Sequence, residues 1–233
     1  MKNFNNFYIK YIEKQKRSIF NVETTHRCRL QCPFCQRQRK GGKEKVKNAG
    51  ELSYKSFEKI FNFTDKINLC GQISDPIYHT DLLKILRIKN KRFANKRLEI
   101  RTNGSGKKID WWKEAYALSD KKTIWVFGLD GASQETANIY RVGTDFENVF
   151  EVMKLGVKSK ALIIWQFILF EHNEHEIELV KKLCYDNDIT LQMMYSDRWP
   201  KEKEHLNIKK SNLQEKSKDF KHSVRYVNVR KNS

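Results

Sequence analysis

The sequence predicts an α/β fold: a partial (β/α)6 barrel of parallel strands with outer helices and a short C-terminal extension. Three observations lead to it. Short apolar runs of β-branched and aromatic residues alternate with longer stretches of helical spacing, the pattern of repeated βα units. The 233 residues suit one catalytic domain with a tail and are short for two complete domains. A cluster of cysteines follows the first strand directly, at the edge of a parallel βα fold where active-site loops gather.

Strands are expected over Ser18–Glu23, Lys66–Cys70, Arg97–Arg101, Thr123–Gly128, Ala161–Phe170 and Thr190–Tyr195. Helices are expected between them. Ser53–Phe63 opens on a serine placed to cap it, and Thr80–Phe93 carries Leu82, Leu83, Ile85, Leu86 and Ile88 on a buried face. Ile109–Leu118, Asp145–Leu155 and Glu174–Asp186 complete the alternation. Trp125 is expected in the core, and Trp111 and Trp112 at the start of a helix. Alternating β and α elements imply right-handed crossovers, and six strands make an open, curved sheet or a partial barrel.

This core is expected to run over residues 18–199, after an N-terminal extension over 1–17 and before a basic C-terminal tail over 200–233, whose order the composition leaves open. Within the tail, Leu206–Leu213 has weak helical spacing and Val224–Val229 alternates like an edge strand. Gln36–Lys47, basic and with two glycines, reads as a loop beside the cysteines.

Composition narrows the class. Apolar residues make up 39% and charged residues 32%, and no apolar stretch approaches the roughly 20 residues that span a bilayer. A membrane partner is not expected. The N-terminus lacks the apolar segment of a secretory signal, so a cytoplasmic location is expected. Lys and Arg number 46 against 28 acidic residues, a net charge of +18 that would attract nucleic acid, acidic protein segments or anionic cofactors. The lysines are spread along the chain, which is equally the pattern of a solvated surface. Five cysteines, an odd number, argue for metal binding or free thiols over a disulfide framework.

Three of the five stand in the run Cys28-Arg-Leu-Gln-Cys32-Pro-Phe-Cys35. Three thiolates on one loop can hold three irons of a cubane, leaving the fourth iron open to a small molecule. The competing reading is zinc, with His26 as a fourth ligand; no second Cys or His pair follows at finger-like spacing.

The cysteine run, with Phe34 before the third cysteine, resembles the radical S-adenosylmethionine (radical SAM) superfamily. Further segments agree in order. Cys70-Gly71-Gln72-Ile-Ser-Asp75-Pro76 is similar to its glycine-rich motif, usually G-G-E-P, which holds the methionine amino group through backbone carbonyls and a polar side chain. Here Gln72 and Asp75 depart from the usual glycine and glutamate, in a G-x-x-x-D-P form that resembles the peptide- and protein-modifying branch, often extended by SPASM or twitch domains. Thr102-Asn103-Gly104 and Gly128-Leu-Asp130-Gly131 fit the same branch.

The resemblance implies roles as well. A [4Fe-4S] cluster on Cys28, Cys32 and Cys35 would cleave S-adenosylmethionine reductively, giving a 5′-deoxyadenosyl radical that takes hydrogen from a substrate. Asp130 would meet the ribose hydroxyls, Arg141 the methionine carboxylate through its planar fork, and the backbone near Leu169 and Phe170 the adenine. Phe34, Gly71, Gln72, Asp75, Pro76, Thr102 and Asn103 complete the expected cofactor site. SPASM and twitch enzymes carry extra cysteines after the sixth strand, and this chain has none beyond Cys184, so one cluster is expected. Cys70 and Cys184 are expected to be partly buried thiols. The implied partners are an electron donor such as ferredoxin or flavodoxin and, by the branch, a peptide or protein side chain as substrate. A nucleotide, nucleic acid or small metabolite is the alternative substrate. Readings from other classes are a zinc-containing nucleic-acid-binding protein and a radical-fold protein that binds the cofactor without turnover.

Overall fold

Each strand is short because it is one rung of a βα ladder that turns over as soon as its apolar residues have crossed the sheet. The computed structural model describes residues 19–39, 41–48, 50–199, 208–213 and 225–227. The strands are β1 (Ile19–Val22), β2 (Lys66–Leu69), β3 (Arg97–Thr102), β4 (Thr123–Gly128), β5 (Leu162–Leu169), β6 (Thr190–Tyr195) and β7 (Arg225–Val227). They form one sheet in chain order. The first six are parallel, Ile19 lying beside Lys66, Lys66 beside Arg97, Leu98 beside Thr123, Ile124 beside Leu162 and Ile164 beside Thr190. Unbroken order with helical crossovers curves the sheet into the expected partial barrel.

The helices are α1 (Gly42–Asn48), α2 (Tyr54–Phe63), α3 (Leu82–Arg92), α4 (Ile109–Ala117), α5 (Gln134–Tyr140), α6 (Phe146–Val157) and α7 (Ile177–Asp186). Capping serves as the spacing predicts at α2, where Ser53 Oγ accepts from Ser56 N. Asp145 does the same for α6 through Asn148 N. Helix α5 has no counterpart in the periodicity. It is only seven residues long, buries Ala137 and Tyr140, and is opened by Ser133 Oγ accepting from Thr136 N at 3.2 Å.

The sheet separates two environments by its period of two. Outward residues such as Ile67, Leu98, Ile100, Trp125, Phe127, Trp165 and Phe167 pack against Phe57, Leu86, Trp112, Val149 and Val180 of the helices in one continuous core. Inward residues are mixed: Ile124, Val126 and Ile164 form a small apolar floor. Asn21, Arg101, Gln166 and Met194 line a cavity above it. All six positions of β4 are buried, as expected for a strand covered on both sides.

Two expectations are corrected. Gln36–Lys47 is not an open loop: Gln36–Gln38 forms a 3-10 turn and α1 begins at Gly42. The two glycines that read as loop residues make the helix possible. Gly41 takes φ +77°, and a Cβ on Gly42 would lie 2.2 Å from the Gln36 carbonyl oxygen. The weak helical spacing of Leu206–Leu213 holds only at Asn212 and Leu213 in its described part; before them, Lys210 bridges Phe170 in antiparallel fashion, and Glu171 N donates to Lys209 O at 3.2 Å. A buried strand end with an unpaired edge outweighs a weak amphipathic pattern. The edge-strand reading of Val224–Val229 matches β7, antiparallel to β6, over Arg225–Val227. The extension over 1–17 and most of the tail over 200–233 lie outside the described residues. No helix among the described residues is long and apolar enough to cross a membrane.

Candidate active site

The cysteine loop is set by what it buries. Leu30 and Phe34 are buried while Cys28, Cys32 and Cys35 stay half-exposed. Phe34 stands edge-on to Tyr140 and Trp199, with ring centroids 5.8 and 5.6 Å apart. Gln31 N donates to Val142 O at 3.0 Å, and Cys35 N to Cys32 O at 3.1 Å. With its apolar residues anchored, the loop presents all three thiols to one cavity of about 390 Å³ at the strand C-terminal edge. Gly71, Gln72, Asp75, Thr102, Asn103 and Arg141 line the same cavity, bringing most of the expected site together. A second cavity, of about 420 Å³ and lined by Tyr116, Ser119, Asp120 and Leu155, opens at the opposite edge, away from these residues.

The loop after β2 is held by a residue to which the sequence reading assigned no role. Glu23, just past β1, accepts from Gln72 N at 2.9 Å, from Ile73 N at 3.4 Å and from Ser74 Oγ. Arg37 donates to the carbonyls of His26 at 2.6 Å and Ile73 at 2.9 Å, tying this loop to the cysteine loop. A Cβ on Gly71 would stand 1.7 Å from the Ser74 oxygen, so the turn closes only around glycine. Cys35 Sγ lies 3.4 Å from Gln72 O. The only sequence signals were a carboxylate between strand and cysteines, and an arginine just after them.

Asp75 is a staple. Its Oδ2 accepts from Thr102 Oγ1 at 3.0 Å and Asn103 N at 2.7 Å, and its Oδ1 from Ile77 N at 3.1 Å, which leaves Pro76 buried at the start of a short 3-10 turn. Burial pushes its carboxyl up to about 6 against those hydrogen bonds. Asn103 Nδ2 then points at Cys28 Sγ, 3.6 Å away.

On the other side Arg141 Nε donates to Asp130 Oδ2 at 2.6 Å. Asp130 is fully buried, with its Oδ1 taken by Ile168 N at 2.8 Å, and it faces Arg141 and β5 while Arg141 faces the cavity. Burial works against the Arg141 charge, but Asp130 and Cys32 more than offset it. Asn173, also fully buried, donates to Asp130 O and Ile168 O and accepts from Phe170 N, locking the end of β5. As a result Ile168 lines the cavity, while Phe170 and Phe34 pack behind it and Leu169 joins the outward core. Phe170 lies against Tyr140, their rings tilted by 40° with centroids 4.5 Å apart. The far wall is formed by Arg101, Gln166 and Met194 to Arg198. Cys70 also lines the cavity, whereas Cys184 is buried on α7.

The donor set suits an iron-sulfur cube. Three thiols stand round a cavity of the size that takes a small-molecule ligand. Among the described residues no three His, Cys, Asp or Glu side chains converge as ligands of a single metal ion. His26 is not among the lining residues. Cys28, Cys32 and Cys35 would hold three irons of such a cluster. Burial, aided by Asp75, pushes the Cys28 thiol up to about 12, so the positive charge of bound iron is what would make it a thiolate.

The family model of the radical SAM superfamily matches residues 22–184. The chain belongs to the radical SAM superfamily. Radical SAM proteins are an enzyme class that uses a [4Fe-4S] cluster and S-adenosylmethionine. Among solved structures, Streptococcus suis SuiB bound to S-adenosylmethionine is similar over 88% of this chain and 47% of its own, at 15% identity and a TM-score of 0.66. SuiB bound to the precursor peptide SuiA gives 88%, 46%, 15% and 0.64. The radical SAM structure anSMEcpe with bound AdoMet gives 76%, 50%, 18% and 0.56. At these identities the likeness concerns the fold, and this chain spans about half the length of the proteins it matches. No curated protein matches the chain.

Proposed function

We propose that this chain is a radical SAM enzyme whose cavity at the end of the barrel strands binds the cluster, S-adenosylmethionine and a substrate C–H bond, the substrate being a peptide or protein side chain. The observation that carries the reading is the meeting of Cys28, Cys32 and Cys35 with the loop after β2 and with Arg141 around one cavity. When bound, the reduced cluster and S-adenosylmethionine together supply a 5′-deoxyadenosyl radical able to take hydrogen from an unactivated carbon.

The chain's own residues bind and orient. Cys28, Cys32 and Cys35 hold three irons. The Gly71–Gln72 backbone, kept in its tight turn by Glu23, offers carbonyls to the methionine amino group. Arg141, its Nε committed to Asp130, offers its terminal nitrogens to the methionine carboxylate. Since Asp130 is fully buried and is not among the residues lining the cavity, it acts by positioning Arg141 and Ile168 rather than by touching ribose. Ile168, backed by Phe170, borders the adenine. Buried Phe34, Tyr140 and Phe170 wall the site against water and oxygen.

A peptide substrate is supported by the fold shared with SuiB, a structure of which holds its precursor peptide. The cavity wall beyond the cofactor residues, Asn21, Arg101, Gln166 and Tyr195, is rich in hydrogen-bonding groups suited to a peptide. The test is anaerobic reconstitution with iron and sulfide, followed by measurement of 5′-deoxyadenosine formed from S-adenosylmethionine with dithionite, alongside a variant with all three cysteines changed to Ala. Cluster-dependent 5′-deoxyadenosine is expected. A colourless protein carrying zinc overturns the reading.

A further inference from the structure

We propose that Arg101 is the residue that selects the substrate, its guanidinium receiving a carboxylate of the peptide, either an acidic side chain or the C-terminus. The inference rests on the proposed function, in which this cavity takes a peptide beside the cofactor. The step is recognition alone: no bond forms or breaks at Arg101.

Position comes first. Strand β3 alternates between its faces, so Leu98 and Ile100 join the outward core while Arg97, Glu99 and Arg101 share the inward face. Glu99 is buried between the two arginines, its Oε1 2.6 Å from Arg101 Nη2 and its Oε2 3.5 Å from Arg97 Nη2. Arg101 is in register with Val126 of β4, and its Nη1 reaches across that strand to Gln166 Oε1 on β5, 3.4 Å away. The side chain is 35% exposed and lines the cavity, so part of its fork of N–H donors is open to a ligand. This repeats the arrangement of Arg141, which is held by the buried carboxylate of Asp130 and faces the same cavity. A Cβ on Gly128 would stand 2.8 Å from Arg141 Nη2, so that guanidinium lies against β4 two residues beyond Val126. The proposed function commits Arg141 to the methionine carboxylate and leaves Arg101 without a ligand.

Charge is the second argument. Among the described residues of the six parallel strands, the charged side chains on the inward face are Lys66, Arg97, Glu99 and Arg101, a single carboxylate among cations. Lys66 and Arg97 are partners in register at the strand starts, away from the cysteine loop, which leaves Arg101 as the cation of this group that lines the cavity. An anion is favoured beside it. The acids of the cavity wall do not fill that place: Asp75 has its oxygens taken by Thr102, Asn103 and Ile77, and Asp197 is exposed beyond β6. Val126 and Met194 line the cavity near Gln166 and suit the short apolar stem of an acidic side chain. Two arginines braced on one sheet, one for the cofactor and one for the substrate, fix the separation of the two molecules and so decide which C–H bond meets the radical.

The test uses the cluster-reconstituted protein saturated with S-adenosylmethionine, without reductant, titrated anaerobically in a calorimeter with capped peptides acetyl-Gly-Ala-X-Ala-Gly-amide. X is Glu, Asp, Gln or Lys, and a further peptide carries Gln with a free C-terminal carboxylate. The Glu, Asp or free-acid peptide is expected to bind about tenfold or more tightly than the capped Gln peptide, as a charge-assisted fork gives. Which of them does so separates an acidic side chain from a C-terminus. Arg101→Gln should erase the preference and Arg101→Lys should keep part of it, while S-adenosylmethionine affinity stays within about threefold of the parent. Because Arg101→Gln leaves Glu99 with Arg97 alone, the double variant Arg101→Gln, Glu99→Gln, which strands no carboxylate, should erase the preference as well. Equal binding of acidic and neutral peptides by the parent, binding of none, or a preference that survives in both variants overturns the proposal. So does a loss of S-adenosylmethionine affinity as large as the loss for the peptide, which would place Arg101 in the cofactor site. Binding of uridine monophosphate in place of every peptide also overturns it, by making the ligand a nucleotide phosphate. Failure of the parent to form 5′-deoxyadenosine once dithionite is added would instead count against the proposed function, and the titration without reductant stays readable.

Discussion

Arg141 and Asp130 form a buried ion pair at 2.6 Å in which only the arginine reaches the cavity. Asp130 spends its other oxygen on Ile168 N, so one carboxylate sets both the guanidinium and the end of β5. Two walls of the site depend on one side chain.

Changing Arg141 to Lys removes the planar fork while keeping the charge. The expected result is S-adenosylmethionine binding weaker by about 10- to 100-fold, the value of one or two charge-assisted hydrogen bonds. Asp130→Asn should be worse for folding, costing about 3 kcal/mol, because it leaves Arg141 charged without its partner in a nearly closed site. Equilibrium dialysis with cluster content checked by iron analysis measures the first, and urea unfolding the second. Unchanged affinity in the Lys variant would show that Arg141 does not meet the cofactor.

Glu23 predicts a split between two substitutions. Glu23→Gln keeps an oxygen for the Gln72 and Ile73 amides and an amide group that can meet Ser74 Oγ, so cofactor affinity should stay within about threefold of the parent. Glu23→Ala strips the loop of its anchor and should weaken binding about tenfold or more. Equal effects of Gln and Ala would mean that the loop holds its shape without Glu23.

Lys89 is fully buried, with Nζ 2.5 and 2.6 Å from the two Asp120 oxygens, at the edge away from the active site. Asp120→Ala should destabilise by about 3 kcal/mol, since it strands a buried ammonium; Lys89→Met should cost far less, because it replaces the ion with volume of similar shape. Chemical denaturation of the two variants gives the comparison, and the opposite order would refute the assignment of Lys89 as the buried member.

Glu51 carries a pH prediction. Its partial burial opposes ionisation, but Thr80, Arg27 and Thr25 hydrogen-bond its carboxylate and bring it down to about 2. A folded value below the unfolded one, about 4.3, means stability that is present above roughly pH 4 and lost as the pH falls toward 2. In cluster-free protein the stability gap between parent and Glu51→Gln should shrink across that window. A gap that stays constant down to pH 2 would place the interaction elsewhere.

The alternation of β-branched runs with helical stretches determined the six strands, because period and length are local properties, whereas their order in the sheet is a matter of packing that the structure shows. The cysteine spacing likewise determined which three thiols share a loop. Helix α1 was not legible, since the meaning of Gly41 and Gly42 depends on a carbonyl the chain meets only after turning back. Nor was α5, whose seven residues carry too few apolar positions to show a period.

At the site the division is the same. Residue types adjacent to strand ends, Asp75, Thr102, Asn103, Asp130 and Arg141, could be named in sequence, but only the tertiary structure decided which of them face the cavity. Asp75 and Asp130 turned out to be staples, and Glu23, Arg37 and Asn173 emerged as the groups that hold the walls. A hydrogen bond between residues tens of positions apart leaves no mark on spacing or composition. The sequence alone therefore determined the frame and the cysteine cluster, and folding determined the orientation of everything around it, because orientation is settled by which distant donors find each acceptor once water has been excluded.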